Sequence, residues 1–140
     1  MSLDFFERSL LDREEDAKRA FGKEMARVGS EATLAGALNS SRTILNYMRV
    51  GEEVLERQVG SAIQFAFNLF GQPSEQVNGL VANFGRKVLD SIIQDISKRA
   101  GLNDRSFGGG YMDVVERQKP NLERKLASLL DGCKHGMIGD

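Results

Sequence analysis

Hydrophobic residues recur every three or four positions along nearly the whole chain, as they do on the buried side of an amphipathic helix. No segment shows the sustained alternation of hydrophobic and polar residues, rich in β-branched side chains, that a strand requires. The clearest hydrophobic stripe consists of Val77, Leu80, Val81, Phe84, Val88, Ile92 and Ile96. The pattern therefore predicts an all-α fold, a helical bundle of four main helices plus a short C-terminal helical segment.

Serines and glycines between the hydrophobic stripes predict where the helices begin and end. A serine ahead of a helical stretch is expected to act as its N-cap, and a glycine after one is expected to stop it. Breaks are expected at Gly29-Ser30, at Gly51, at residues 71–74 and at Gly101. The four main helices predicted in this way cover residues 2–28, 30–49, 52–70 and 74–100.

The chain of 140 residues and 15.5 kDa is expected to fold as one domain. Residues 1–100 are expected to form its helical bundle core, and residues 101–110 a glycine-rich linker. Residues 111–140 are expected to form a C-terminal helical segment that packs on the same domain. Within that segment a short helix is predicted over 111–118, and Pro120 is predicted to open a further helix that ends at Gly132.

Three groups of residues are candidates for helix packing or self-association. The first is a heptad-like row in the predicted second helix that includes Leu34, Leu38, Leu45 and Met48. The second is the uncharged polar stripe Ser61, Gln64 and Asn68, which is either a buried hydrogen-bonded row or the wetter side of its helix. The third is the small residues Gly79, Ala82 and Gly85, which would let another helix approach closely.

Composition and charge exclude several broad classes of protein. With 41% hydrophobic and 28% charged residues, the chain is neither wholly disordered nor fibrous. Nineteen basic and twenty acidic residues give a net charge of −1, so no overall charge attracts it to nucleic acid or anionic lipid. The best local case for nucleic acid is a basic patch formed by Lys98, Arg99, Arg124 and Lys125.

The sequence contains no set of residues that carries out a familiar chemistry. Cys133 and His135 are alone of their kinds, so common zinc sites are excluded, and no nucleophile has a recognisable base. The neighbouring carboxylates of the chain are interpreted as solvated helix faces, and the glycine run 108–110 as a connector rather than a phosphate-binding loop. We therefore expect no catalytic residue, no metal, no cofactor and no small-molecule substrate, and a protein that is not an enzyme.

These observations favour a noncatalytic helical protein-interaction or assembly module whose partner is protein, most simply a second copy in a homo-oligomer. The alternative is a nucleic-acid-associated regulatory protein that uses the basic residues of the C-terminal half. Insertion of the uncharged stretch 58–74 into a membrane is disfavoured, because this stretch is short and contains several polar residues. A lone cysteine and the lack of a signal-peptide pattern favour the cytoplasm.

Overall fold

Four α-helices account for almost all of the chain. The computed structural model describes residues 3–34, 36, 40–72 and 74–134. Its helices are α1 (Leu3–Leu34), α2 (Ser41–Phe70), α3 (Glu75–Phe107) and α4 (Tyr111–Lys134). No strand occurs in those residues, so the predicted all-α helical bundle is confirmed. The C-terminal part is a single helix of 24 residues rather than a short segment.

The helices alternate in direction, as short connections between neighbouring helices require. Within the described ranges every pair of helices is in contact except α1 and α4. The helices α2 and α3 are therefore a shared central pair, with α1 packed along one side of them and α4 along the other. In this arrangement α1 runs parallel to α3, and α2 runs parallel to α4.

The hydrophobic stripes of all four helices meet in one continuous core. Its largest fully buried side chains include Phe6, Phe21, Ile44, Tyr47, Leu55, Leu89, Ile92, Ile96 and Leu122. At one end Phe6 meets Phe70 edge-on, with ring centroids 5.4 Å apart, and lies 5.8 Å from the ring of Phe65. The burial of these large side chains supplies the main stabilisation of the bundle.

The predicted break at Gly29-Ser30 is wrong, because α1 continues through both residues to Leu34. Arg27 bridges this point, with one guanidinium nitrogen 2.8 Å from Glu24 and another 2.9 Å from Glu31. Each of these pairs joins neighbouring turns of the helix and stabilises it modestly. The helix ends instead near Gly36, which has a φ of 72° and donates its N–H to the carbonyl of Thr33. Ser40, rather than Ser30, caps the next helix.

The predicted break at Gly51 is also wrong, because Gly51 lies inside α2 where three helices converge. A Cβ added there would lie 2.7 Å from Ile92 Cγ2 of α3 and 3.4 Å from Phe21 Cε1 of α1. The glycine therefore serves a close helix contact rather than a turn. The predictions of two separate helices over 30–49 and 52–70 are replaced by one helix, Ser41–Phe70.

Two further predicted boundaries, at Gly101 and at Pro120, are also wrong. Helix α3 does not stop at Gly101 but continues to Phe107, with Ala100 and Asn103 both buried. The predicted linker over 101–110 is therefore reduced to residues 108–110. Pro120 does not open a helix but lies inside α4, at an exposed position. The carbonyl left unpaired by proline belongs to Glu116, which is also exposed and open to water.

The turn between α3 and α4 depends on glycine and on one carboxylate. Gly108 and Gly110 have φ values of 94° and 109°, which favour glycine. Asp104, in the last turns of α3, accepts hydrogen bonds from the backbone N–H groups of Tyr111 and Met112, at 2.8 and 3.1 Å. The carboxylate thereby caps the positive end of α4, which fixes the two helices relative to each other. The predicted serine cap of α3 is confirmed, because Ser74 Oγ accepts a hydrogen bond from the N–H of Val77.

Substitution of Gly51 by alanine tests the close approach of the three helices. Ile92 Cγ2 is attached directly to a stiff Cβ, so the added methyl group cannot be accommodated by a simple side-chain rotation. Overpacking is expected to exceed the gain in helix propensity, and Gly51→Ala should lower the free energy of unfolding by about 1–2 kcal/mol. Urea unfolding followed by circular dichroism measures the change.

Gly79 provides the matched control, since it lies on the outside of α3 with no atom within 4 Å of an added Cβ. Gly79→Ala should raise the free energy of unfolding by about 0.5–1 kcal/mol. Equal stabilisation by both substitutions would contradict the close packing assigned to Gly51.

Candidate functional site

The predicted row of Leu34, Leu38, Leu45 and Met48 is not one surface of one helix. Leu34 lies in the last turn of α1 and is 90% exposed, whereas Leu45 and Met48 belong to α2. Leu38 lies outside the described residues. Met48 is buried in the core, and Leu45 is 43% exposed. The sequence periodicity continued across a helix boundary, and only Leu45 and Met48 lie side by side.

The polar stripe of α2 is on the surface of the bundle rather than in its core. Arg13 of α1 donates a hydrogen bond to Ser61 Oγ at 2.8 Å, and its guanidinium carbon lies 4.6 Å from the ring centroid of Phe65. Further along, the Gln64 amide donates to Asn68 Oδ1 at 3.1 Å. Of the two interpretations left open, the described structure supports the wetter side of the helix, which here helps to join α1 to α2.

Of the three small residues in α3, one allows a close helix contact. Gly85 is buried, and an added Cβ would lie 2.6 Å from Leu126 Cδ1 of α4 and 3.4 Å from Val59 Cγ2 of α2. Ala82 is half-buried, and Gly79 faces open space. The small-residue stripe is thus used within the chain at Gly85.

The basic residues proposed as a patch are Lys98, Arg99, Arg124 and Lys125. The Asp104 cap on α4 places residues 98–99 level with the second turn of that helix, so residues 124–125 lie about 15 Å further along it. Lys125 Nζ also forms an ion pair with Glu56 at 3.3 Å, and Arg124 bonds to Asn121. The structure does not bring the four together, and nucleic-acid binding stays a prediction.

Three ion pairs, Arg86–Glu123, Lys87–Glu14 and Lys125–Glu56, join different helices on the surface of the bundle. Arg86 of α3 makes a bidentate contact with Glu123 of α4, and hydrogen bonding to the guanidinium lowers the pKa of the Glu123 carboxyl.

Within the described ranges, no three residues of the metal-ligating types His, Cys, Asp and Glu lie together in a possible metal site. None of the helices there has a stretch long and apolar enough to cross a bilayer.

Cys133 is buried at the end of α4, and His135 lies outside the described residues. The Cys133 thiol is 3.4 Å from Asn78 Oδ1, to which it can donate a weak hydrogen bond. Burial raises the pKa of this thiol. A raised pKa reduces the thiolate fraction at neutral pH, which is the opposite of what a nucleophilic cysteine needs.

A shallow groove on the outer face of α2 and α4 contains two charged side chains of opposite sign, Arg49 and Glu52. This α2–α4 groove has a volume of 270 Å³, and its rim consists of Leu45, Asn46, Arg49, Glu52, Gln118 and Asn121. Met48 and Leu122, both buried, form its floor. Glu52 is half-buried and Arg49 exposed, and neither forms an ion pair with another described residue.

The charged part of this groove was missed from the sequence, although its spacing was visible there. Leu45, Arg49, Glu52 and Glu56 follow one another at intervals of four, three and four residues, so they lie on one side of α2. Glu52, next to Glu53, is one of the neighbouring carboxylates that the sequence pattern assigned only to a solvated helix face. The sequence did not show that the neighbouring helix α4 offers Arg49 and Glu52 no ion-pair partner among the described residues.

The burial of Cys133 predicts slow chemical modification of the native protein. Iodoacetamide should alkylate Cys133 at least about tenfold more slowly in native buffer than in urea, because the thiol is enclosed and its pKa is raised. Mass spectrometry of timed samples gives both rates, with Cys133→Ala as the unreactive control. Equal rates in the two solvents would contradict the position assigned to α4 against Asn78.

The described residues thus contain no group of three metal-ligating side chains, but the α2–α4 groove contains a guanidinium and a carboxylate that form no ion pair with another described residue. No protein-family model, curated protein or solved structure matched this chain.

Proposed function

We propose that this protein is a noncatalytic helical assembly module that pairs with a second copy of itself through the α2–α4 groove. The observation that carries the proposal is the stripe Leu45, Arg49, Glu52 and Glu56 on the outer side of α2. The stripe has one exposed hydrophobic side chain and two charges of opposite sign that find no partner within the described chain.

The spacing of the stripe is the same when it is read in either direction. Two antiparallel copies of α2 related by a two-fold axis therefore place position 49 of one copy against position 52 of the other, and position 45 against position 56. A two-fold interface uses the same surface on both subunits, so each contact occurs twice. Arg49 would face Glu52 at both of these central positions.

The chemistry of the outer contacts supports the same register. Leu45 would lie over the Glu56–Lys125 ion pair of the other copy, whose methylene stems provide apolar surface beneath their charged ends. Helix α2 has 30 residues and is about 45 Å long, and α4 lies beside it. A face of this length is compatible with the roughly 1,200 Å² or more that a specific interface usually buries.

The remaining parts of the proposal rest on the sequence. One cysteine and one histidine are too few for the common zinc sites, and the sequence pairs no nucleophile with a recognisable base, which favours a noncatalytic role. The single cysteine also fits a reducing compartment, and we place the module in the cytoplasm.

Charge reversal at the two central positions tests the proposed pairing. Arg49→Glu and Glu52→Arg should each weaken dimerisation at least about tenfold, because each variant puts like charges together twice. The double variant should dimerise again, and an equal mixture of the two single variants should form a heterodimer. Light scattering after size exclusion, over a range of protein concentrations, measures the masses.

Arg8→Glu is the matched control, since Arg8 is an exposed arginine of α1, which does not contact α4. This variant should dimerise like the unmodified protein. A mass near 15.5 kDa at every concentration of the unmodified protein would contradict the proposal. A dimer that Arg49→Glu and Glu52→Arg leave intact would also contradict it.

A further inference from the structure

A second and larger groove lies between the C-terminal halves of α1 and α3, on the other side of the bundle from α4. This α1–α3 groove has a volume of 740 Å³ and opens to solvent. Seven of its lining residues come from α1, and most of those are small, including Gly22, Ala26, Gly29 and Ser30. Small side chains leave the space between the two helices unfilled. The volume is within the range of about 300–1,000 Å³ that is usual for small-molecule sites.

The groove reaches a buried tyrosine whose hydroxyl has no partner. Tyr47 of α2 lines the groove and is only 2% exposed, yet its hydroxyl forms no hydrogen bond with any described residue. Among those residues, the amide nitrogen of Asn103 is the one sealed side-chain polar atom that lacks a partner. The Tyr47 hydroxyl is therefore not fully sealed from solvent, and the groove that Tyr47 lines is the space through which a ligand could reach it. Tyrosine hydroxyls in such buried positions usually have a hydrogen-bond partner.

The groove also contains one positive charge that is not neutralised. Arg99 of α3 lines it and forms no ion pair with another described residue, not even with Asp95 one turn earlier. The lining residues other than Arg99 are uncharged. A guanidinium that faces an otherwise neutral, partly apolar groove is a binding element for a single negative charge.

Helix packing places the tyrosine and the arginine at the same level of the bundle. At Gly51 the central helix α2 meets Phe21 of α1 and Ile96 of α3. Because α2 and α3 are antiparallel, a step of one turn back along α2 corresponds to a step of one turn forward along α3. Tyr47, one turn before Gly51, therefore lies level with Arg99, about one turn after Ile96. Both side chains can therefore serve one ligand.

We propose that the α1–α3 groove binds a small monocarboxylate with an apolar body. The carboxylate accepts hydrogen bonds from the Arg99 guanidinium and the Tyr47 hydroxyl, while the apolar body lies along Met25 and Ala26. One guanidinium matches the single charge of a carboxylate better than it matches a phosphate monoester, which has a charge of about −1.5 to −2 at neutral pH. This proposal does not depend on self-association, because its residues lie outside the α2–α4 groove.

Calorimetric titration of the full chain with octanoate tests the proposal. Octanoate should bind, and 1-octanol, which has the same chain length without the charge, should bind at least about tenfold more weakly. Arg99→Gln should weaken octanoate binding about tenfold, and Tyr47→Phe about fivefold, the loss expected for one neutral hydrogen-bond donor. Arg99 is exposed, and phenylalanine retains the buried ring of Tyr47, so circular dichroism should show both variants folded.

Arg8→Gln is the matched control at the other end of the bundle and should leave the affinity for octanoate unchanged. Absence of octanoate binding would overturn the proposal, as would binding that both groove variants leave intact. Equal affinities for octanol and octanoate would also overturn the proposal, because the groove would then bind the apolar chain without using the carboxylate charge. Tighter binding of octyl phosphate than of octanoate would overturn the assignment to carboxylates.

Discussion

The close approach of three helices at Gly51 sets the geometry of the bundle. Without a Cβ at this position, α2 can receive Ile92 from α3 and Phe21 from α1 at the same level. A side chain there would separate α2 from one of its neighbours, since protein interiors have little free space. The levels of all residues one or two turns away follow from this contact, including those of Tyr47 and Arg99.

The central position of α2 and α3 separates the α1–α3 groove from the α2–α4 groove. Both α1 and α4 pack against this pair, but they do not touch each other in the described chain. The α1–α3 groove and the α2–α4 groove each lie between a pair of parallel helices. Each contains an arginine that forms no ion pair with another described residue, Arg99 in the α1–α3 groove and Arg49 in the α2–α4 groove. The proposed assembly and the proposed ligand binding therefore use different faces of the bundle.

Hydrophobic periodicity predicted the fold class because it reports directly which side of a helix is buried. Ser74 was correctly predicted as a cap, since its hydrogen bond is local. Gly51, Gly101 and Pro120 were assigned to helix ends and all lie inside helices. A glycine inside a helix costs about 1 kcal/mol relative to alanine, and packing against other helices exceeds this cost. Sequence alone does not distinguish a glycine that ends a helix from one that admits a neighbouring helix.

The candidate sites were less predictable than the fold for a related reason. Leu45 was predicted as a self-association residue from a heptad-like row, but that row crosses a helix boundary and did not show that Leu45 is exposed while Met48 is buried. The importance of Arg49, Glu52, Tyr47 and Arg99 depends on the absence of partners. That absence becomes visible only when the neighbouring helices are in place. Asp104, which caps α4 from α3, was missed because its partners are seven and eight residues away across a turn.

The most direct measurement of the assembly is the distance between spin labels on the two copies of α2. The spin labels would be attached, one position at a time, to Arg42→Cys, Glu53→Cys or Arg57→Cys in a Cys133→Ala background. Pulsed electron paramagnetic resonance would measure the distance between the two labels of a dimer. Antiparallel pairing predicts separations along the helix axis of about 25 Å at position 42, 8 Å at position 53 and 20 Å at position 57. The distance therefore passes through a minimum near the centre of α2. The same distance at all three positions, or no distance between copies, would contradict the antiparallel two-fold assembly.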